Sequence, residues 1–368
     1  MDFSFTEEQE TVGKVARQLF EHRATPEHLT DLESGPVRHD PALWRELAAS
    51  DLLGIALPEA IGGSGGGFLD LGVLLAEVGW SVAPVPVYAT LVLGADTIAR
   101  HGDSALQQRY LPKVVDGSAI LTAALTEPGN SDPTAPRTAA RADGDTWILD
   151  GNKELVPAAQ LADAIVVSAR ADDGAGLFVV DSQTDGVTVT AADTTDGEPY
   201  GDVELAGAIG HRLGVDGARA VGSLYTRALI GLCAMQVGVA ERALRLAASY
   251  TSEREQFGRP IGSFQAVQQR LADAFIDVEA IRWTTWHAAW LIAQGRPAGR
   301  EASIAKFWAA EAGARVVASA QQVHGGMGID VTYPLHRYFL WAKQIELSLG
   351  SASQQLARLG AAYPEGSK

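Results

Sequence analysis

Residues 254–265 read Arg-Glu-Gln-Phe-Gly-Arg-Pro-Ile-Gly-Ser-Phe-Gln, and this stretch decides the fold. It places a cation, an aromatic ring and an amide, those of Arg254, Phe257 and Gln265, at the junction of two predicted helices. A second stretch, residues 322–328, reads Gln-Val-His-Gly-Gly-Met-Gly after a long predicted helix, and its glycines allow a backbone to approach a ligand closely. Taken alone, the first stretch could be a solvated helix end and the second a glycine-capped turn.

Helical periodicity surrounds the first stretch on both sides. The preceding helix has an apolar stripe at gaps of three and four, predicted to be buried: Leu224, Ala228, Leu232, Met235, Val239, Ala243 and Leu246. The following helix has a similar stripe, and a tryptophan face that is typical of a core or a subunit interface: Phe264, Val267, Leu271, Phe275, Val278 and Ile281, then Trp283, Trp286 and Trp290. A third helix, about Glu301 to Val323, and a fourth from about Trp341 complete a predicted bundle.

Upstream of these helices the apolar period changes to two residues, which predicts a small all-β domain. The strand-like runs are Ile120–Leu125, Thr146–Leu149, Ala164–Ser168, Leu177–Val180, Val187–Thr190 and Val203–Leu205. Asp-Gly pairs at 143–144, 150–151, 173–174 and 185–186 lie between them, as in the hairpins of a sandwich or barrel. The chain is therefore predicted to be mainly α with a central β domain, divided into an N-terminal helical domain (1–118), a middle β domain (119–206) and a C-terminal helical bundle (207–368).

Helical patterns also fill the chain from Phe5 to about Lys113. One helix opens with the capping box Thr6–Gln9, and another opens after Asp40-Pro41. The glycine cluster at residues 61–67 has neither the Gly-Lys-Ser/Thr ending of a phosphate loop nor the third glycine of a dinucleotide fingerprint. We therefore predict a flexible turn between helices there.

Composition and charge exclude several classes of function. The 368 residues are 46% apolar, which predicts a globular protein with sizeable cores. The net charge of −16 opposes a phosphate backbone, so nucleic acid is not an expected partner. Cys233 is the only cysteine, which excludes an intramolecular disulfide and fits a reducing compartment. With no signal peptide and no apolar run of membrane-spanning length in the sequence, we expect a cytoplasmic protein that does not act in a membrane.

Metal and serine-nucleophile chemistry have no support in the sequence. The eight histidines include no His-Glu-x-x-His pair, so no metal site is expected. A Gly-x-Ser-x-Gly elbow is also missing. The functional expectation therefore rests on the two stretches described first.

Together, in this helical, β, helical order, the two stretches resemble the acyl-CoA dehydrogenase family over nearly the whole chain. The segment Leu125–Asp132, which reads LTEPGNSD, and the turn Pro58–Gly63, which reads PEAIGG, lie where that family has them. The resemblance implies the acyl-CoA dehydrogenase fold: an N-terminal helical domain, a middle β-barrel and a C-terminal four-helix bundle that mediates tetramerisation. It also implies FAD as cofactor, bound across a subunit boundary.

The resemblance assigns cofactor-binding roles to six residues by motif position. Arg254 would meet the FAD pyrophosphate, and Phe257 and Gln265 would hold the adenine side. The roles of Gln322, Gly325 and Gly326 would be contacts with the pyrophosphate or ribose. In this family such residues serve the flavin of the neighbouring subunit. The chemistry suits them, because guanidinium pairs with phosphate and glycines expose amides to an anion.

The catalytic base that the family needs is missing from this sequence. Family chemistry removes a proton α to the thioester with a carboxylate while hydride leaves the β-carbon for the flavin. The usual base is a Glu immediately before Gly-Thr near the chain end, where this sequence has Leu349. The alternative base lies on the first helix of the bundle, where an ungapped count back from Phe257 reaches Ala228, and no acid occurs between Asp216 and Glu241. No catalytic residue is therefore assigned.

The middle domain also departs from the family pattern. Residues Glu127–Asp132 are one residue short, and Lys153–Pro157 replaces the Trp and Thr expected against the flavin ring. Glu346 lies one helical turn before Leu349, but a Glu near a bundle surface is usually solvated or ion-paired, so we do not expect it to act as the base.

This pattern looks like the base-lacking subunit of the heterotetrameric (α2β2) acyl-CoA dehydrogenases of actinobacterial steroid side-chain degradation. Such a resemblance implies α,β-desaturation of an acyl-CoA, with a steroid side-chain thioester as the candidate substrate. It implies a homologous partner subunit that carries the base, and an electron-transfer flavoprotein or similar acceptor. Two alternatives stay open: a self-sufficient homo-oligomeric dehydrogenase, oxidase or monooxygenase with an unrecognised base, and a structural subunit without flavin.

Overall fold

A computed structural model describes residues 4–130 and 132–362, so residues 1–3, Ser131 and residues 363–368 lie outside the description. The helices are α1 (Glu7–Arg23), α2 (Pro26–Glu33), α3 (Pro41–Ala49), α4 (Phe68–Ser81), α5 (Asp96–His101), α6 (Ser104–Val115), α7 (Gly217–Glu253), α8 (Gln265–Ala293), α9 (Gly299–His324), α10 (Leu335–Leu347) and α11 (Ala352–Ala361), with a π-helical stretch at Tyr88–Ala95. The strands are β1 (Leu121–Ala124), β2 (Ala139–Asp143), β3 (Thr146–Val156), β4 (Ala164–Ala171), β5 (Gly174–Asp181), β6 (Val187–Ala192), β7 (Tyr200–Leu213), β8 (Glu255–Gln256) and β9 (Arg259–Pro260). The predicted fold class, mainly α with a central β domain, is confirmed.

The chain forms two compact units. One contains the described residues up to Asp31, Gly72–Ala83 and the described residues from Leu229 onward. The other contains the described residues of Leu32–Leu71 and Pro84–Ala228. The units therefore cut across the three predicted domains, because part of the N-terminal helical region packs with the C-terminal helices.

Helix-start signals near the N-terminus act as predicted. Thr6 Oγ1 accepts the backbone N–H of Gln9, whose side chain accepts the N–H of Thr6 in return. Asp40 accepts two backbone N–H groups at the start of α3. The cluster at residues 61–67 is a turn that leads into α4, and a Cβ on Gly63 would lie 2.2 Å from the Leu57 carbonyl oxygen. The turn needs glycine because the backbone passes so close.

The sheet of the second unit closes on itself as a barrel. Its strand order is β1-β4-β2-β3-β7-β5, and β5 also pairs with β4. The pair Asp143-Gly144 makes the predicted hairpin between β2 and β3, with Gly144 at φ +61°. The inside is filled by apolar side chains such as Leu149, Ile165, Val167, Phe178, Val203 and Leu205.

Three strand predictions were wrong in detail. Asp150-Gly151 is not a turn but lies within β3, where the pairing with β7 shifts by a bulge after Leu149. Strand β2 was missed because its sequence, AARAD, lacks β-branched and aromatic residues. Strand β7 continues to Leu213, past residue 206.

Two glycines allow close packing in the helical unit. A Cβ on Gly79 of α4 would lie 2.0 Å from the Met235 carbonyl oxygen, and a Cβ on Gly238 of α7 would lie 1.9 Å from that of Ala76. The two helices therefore touch backbone to backbone, which any side chain at these positions would prevent. Helix α9 packs against α8, α10 and α11.

The predicted apolar stripe of α8 is buried only in part. Val278 and Ile281 are buried, but Phe275 is 57% exposed, because no described segment of this chain covers the N-terminal half of that face. On the tryptophan face, Trp286 packs edge-on against Phe5 at 5.2 Å. The fourth bundle helix begins at Leu335 and not near Trp341 as predicted.

Among the described residues, α7 is the one helix long and apolar enough to cross a bilayer, and its most apolar part is mostly buried inside the protein. Burial of this kind is what the core helix of a globular protein has.

Candidate functional site

A tight hairpin follows α7 and presents Phe257 at its tip. Strands β8 and β9 pair through Glu255 with Pro260 and Gln256 with Arg259. Phe257 and Gly258 form the turn between them, with φ angles of +55° and +78°. Positive φ at both central residues is the type I′ geometry that suits a two-residue hairpin. The Phe257 side chain is 93% exposed.

Backbone contacts fix this hairpin to the end of α7. The Arg254 N–H donates to the Tyr250 oxygen at 2.9 Å, and the Arg254 oxygen accepts the Ile261 N–H at 2.8 Å. A Cβ on Gly262 would lie 2.9 Å from the Thr251 oxygen, so the chain returns close to the helix. The hairpin thus leaves α7 in a defined direction.

Side chains orient the exposed ring of Phe257. Its centroid lies 6.1 Å from that of Phe264, edge to face, and the Arg259 guanidinium lies 4.2 Å from the Phe264 ring centroid. Phe264 directly precedes α8, whose first residue is Gln265. Phe257 and Gln265 are therefore held at the same connection between α7 and α8.

The second stretch ends α9 in an open glycine turn. Gly325, at φ +60°, donates its N–H to the Gln322 oxygen. A Cβ on Gly325 or Gly326 would meet no atom within 4 Å, whereas one on Gly328 would lie 2.7 Å from the Gln321 oxygen. Gly328 is therefore needed for packing, while Gly325 and Gly326 leave the backbone accessible.

The two stretches come together through aromatic side chains. The Tyr250 ring stacks on that of His324, with centroids 4.3 Å apart and planes at 23°. Tyr250 lies one turn before Arg254, and His324 lies between Gln322 and Gly325. The side chains of the six predicted residues do not hydrogen-bond to one another in the described part of the chain, so the shared location rests on this ring contact.

The arrangement fits a nucleotide that is bound at the surface of this chain. Arg254 is exposed and, across residues 4–130 and 132–362, has no carboxylate partner. An unpaired guanidinium, open glycine amides and an exposed aromatic ring are the groups that bind a pyrophosphate and an adenine. All six residues lie on the surface and not in an enclosed cavity. Such surface exposure is what we expect of residues that form one side of a binding site.

The family segment around Glu127 is organised by a buried ion pair that sequence analysis missed. Lys153 Nζ donates to Glu127 Oε1 at 2.7 Å and to Ser168 Oγ at 3.0 Å. Glu127 also accepts the Thr138 N–H and hydroxyl and the Arg137 N–H. Burial acts to raise the pKa of Glu127, but these hydrogen bonds, with that from Lys153 the strongest, lower it to about 2.

The residues that replace the expected flavin-ring contacts lie just beyond this pair. Leu155 is exposed, adopts φ +50°, and donates its N–H to Asp202 at 2.9 Å. The Pro157 oxygen accepts the Thr122 hydroxyl. The segment is therefore well ordered, yet it offers neither an indole nor a hydroxyl.

A turn without a carboxylate lies at Leu349, the position that the resemblance gives to the usual base. Leu349 has φ +54°. The turn is held by the buried Lys306, whose ammonium donates to the oxygens of Glu346 and Gly350 at 3.1 and 3.0 Å. Gln355 Nε2 donates to the Leu349 oxygen at 3.1 Å. Burial lowers the pKa of Lys306 to about 8.

Neither Glu346 nor the second base position, Ala228, offers a free carboxylate. Glu346 forms an ion pair with Lys343. Ala228 is fully buried, and its oxygen accepts the Tyr88 hydroxyl at 3.2 Å. The described residues also contain no group of three or more metal-binding side chains.

Domain matches establish the family. Residues 6–118 match the N-terminal domain of acyl-CoA dehydrogenases, residues 122–206 the middle domain and residues 216–363 the C-terminal domain. The chain therefore belongs to the acyl-CoA dehydrogenase family, whose cofactor is FAD. The predicted fold and the expectation of FAD are confirmed.

Similar proteins include members from Mycobacterium tuberculosis. Acyl-CoA dehydrogenase FadE27 is 41% identical over 374 residues, with 98% of each chain covered. The ChsE4–ChsE5 complex of the same organism has a chain that is 41% identical, with a TM-score of 0.94 over 99% of this chain and 100% of that one. A Tcur3481–Tcur3483 steroid ACAD variant is 47% identical, with a TM-score of 0.93 over 96% and 97% of the two chains. The likeness thus includes a chain of a two-component complex and a chain of a steroid ACAD.

Proposed function

We propose that this chain is the subunit without a catalytic base in a hetero-oligomeric FAD-dependent acyl-CoA dehydrogenase that desaturates an acyl-CoA between its α and β carbons. The observation that carries the proposal is the combination of Leu349 and Ala228 at the two base positions with an intact, unpaired Arg254. A chain that has the cofactor-binding residues but no base can bind and orient FAD. Proton abstraction then needs a carboxylate from a homologous partner.

In this proposal the six surface residues complete the partner's cofactor site. Arg254 neutralises the pyrophosphate, Phe257 and Gln265 contact the adenine side, and Gln322, Gly325 and Gly326 contact the pyrophosphate or ribose. FAD, when bound, supplies the acceptor for the hydride that leaves the β-carbon. The exposure of all six residues supports a site completed by a second chain.

The acyl group that we propose is a steroid side-chain thioester, and the assembly is an α2β2 heterotetramer. The two similar structures are a two-subunit complex and a steroid ACAD, which supports both points. An electron-transfer flavoprotein or a similar protein would reoxidise the flavin, and the cytoplasm is the proposed location.

Co-expression tests the proposal. The chain purified alone should hold little FAD and show no dehydrogenase activity, because half of the cofactor site and the base are missing. Co-expressed with a homologous subunit that retains a carboxylate at the base position, it should yield a yellow, active heterotetramer, measured by flavin absorbance and native mass. A fully flavinated and active homo-oligomer would overturn the proposal in favour of a self-sufficient flavoenzyme. A complex without flavin would favour a structural subunit.

A further inference from the structure

One buried imidazole touches three separate segments of the helical unit. His324 is the last residue of α9 and is 3% exposed. Its ring stacks on Tyr250 of α7, and its Nε2 lies 3.1 Å from the hydroxyl of Tyr333, which directly precedes Pro334 at the start of α10. Its Nδ1 lies 2.7 Å from the Ala320 oxygen.

The hydrogen bonds determine the tautomer of His324. A backbone oxygen only accepts, so Nδ1 carries the proton that is donated to Ala320. In the neutral ring Nε2 then has a lone pair and accepts the hydroxyl of Tyr333. Both ring nitrogens are satisfied in this form, and the stacked Tyr250 fixes the plane of the ring.

Each contact of His324 is coupled to a cofactor-binding segment. Through Tyr250, whose oxygen accepts the Arg254 N–H, the ring meets the origin of the 254–260 hairpin. Through the backbone it is joined directly to Gly325. Through its bond to Tyr333 it links the two ends of the loop of residues 325–333, since His324 directly precedes this loop and Tyr333 is its last residue.

We propose that His324 is a positioning residue that holds the Arg254 hairpin and the Gln322–Gly326 turn in the relative arrangement that FAD requires, a role that rests on the proposed function. The ring itself does not contact the cofactor in this proposal. It acts on affinity by removing alternative arrangements of the two segments before binding.

The proposal includes a dependence on pH. Desolvation lowers the pKa of His324, so the ring is neutral near neutral pH. Two phenols contact the ring: Tyr250 stacks on it, and the Tyr333 hydroxyl bonds to Nε2. Burial raises the pKa of Tyr333, and the charges of Arg242 and Glu253 act on that pKa in opposite directions. A proton on Nε2 would turn the acceptor of the Tyr333 hydroxyl into a second donor. FAD affinity should therefore fall as the pH drops below the pKa of His324.

The test uses the co-expressed complex and measures the dissociation constant of FAD over pH, together with the melting temperature without flavin. His324→Phe keeps a ring against Tyr250 but loses both hydrogen bonds, and Tyr333→Phe loses only the hydroxyl. We expect roughly tenfold weaker binding for His324→Phe near neutral pH, less for Tyr333→Phe, and no acid transition in the His324 variant. His22→Phe, on the exposed face of α1, is the matched control and should bind as the parent does.

The outcomes separate the two proposals. An unchanged FAD affinity and pH profile in both variants would overturn the positioning role, also if the melting temperature falls, because the histidine would then only stabilise the fold. A parent complex that binds no FAD at any pH would overturn the proposed function and the positioning role together. If His324→Phe does not fold, Tyr333→Phe decides by the same criteria.

Discussion

Replacing Lys153 by methionine should destabilise the β-barrel by about 3–5 kcal/mol, because a buried carboxylate would lose its counter-charge. Glu127 is 3% exposed and Lys153 fully buried, so water cannot take the place of the ammonium. Methionine matches the length of the lysine stem but cannot donate to Glu127 or Ser168. The bonds from Thr138 and Arg137 remain, yet none of them carries a full positive charge.

The pH dependence has a definite sign. The folded-state pKa of Glu127, about 2, lies below the ordinary value of 4.5. Its contribution to stability is therefore complete above pH 4.5 and is lost as the pH falls toward 2. Without Lys153 the pKa of Glu127 rises, so the variant should approach the parent in stability as acid protonates the carboxyl.

Urea unfolding at neutral and at acidic pH measures both effects. Lys343→Met is the matched control, since it removes a lysine from an ion pair with Glu346 that solvent reaches, and it should change the unfolding free energy by less than about 1 kcal/mol. The double variant Glu127→Gln with Lys153→Met should recover much of the loss, because no charge remains buried. The reasoning is refuted if Lys153→Met is no more destabilising than the control.

Three further predictions concern the cofactor-binding residues, the catalytic base and the glycine packing between helices. Arg254→Ala in the complex should weaken FAD binding about tenfold to a hundredfold, since a charge-assisted contact contributes roughly 1.5–3 kcal/mol. If flavin titration shows an unchanged affinity, the assignment of Arg254 to the cofactor site is wrong. Glu346→Gln should leave turnover per bound flavin nearly unchanged, and a collapse would make this carboxylate the base. Gly238→Ala should lower the unfolding free energy by about 3 kcal/mol or more, since its Cβ would lie 1.9 Å from a backbone oxygen. Gly222→Ala, on the same helix with nothing within 4 Å of its Cβ, should be neutral or stabilising by up to about 1 kcal/mol in the same urea experiment.

Local chemistry predicted the elements of this fold but not their extent. The Thr6 capping box and the Asp143-Gly144 hairpin are short-range signals, and both act as predicted. Asp150-Gly151 has the same composition as a hairpin turn, yet the pairing of β3 with β7 continues through it as a bulge. A tertiary ladder of hydrogen bonds overrides a turn preference at such a point.

Pairs distant in sequence were beyond prediction from one chain. Glu127 and Lys153 were noticed only as parts of an atypical segment, and their ion pair appears once β3 folds beside the 125–130 segment. The contact of Tyr250 with His324 joins two motifs that the sequence presents separately. Periodicity assigned Phe275 to an apolar face correctly but could not say whether this chain covers that face.

The turn at Leu349 is strained and is held by buried side chains. A leucine at φ +54° is strained by on the order of 1–3 kcal/mol, and glycine or asparagine would relieve it. The buried Lys306 and Gln355 nevertheless hold this conformation through three carbonyl oxygens. The contacts of this turn are made by its backbone oxygens, and the alkyl side chain of Leu349 cannot accept a proton. In the proposed function the catalytic base therefore comes from a second chain, and this chain contributes the arrangement of the cofactor to the rate.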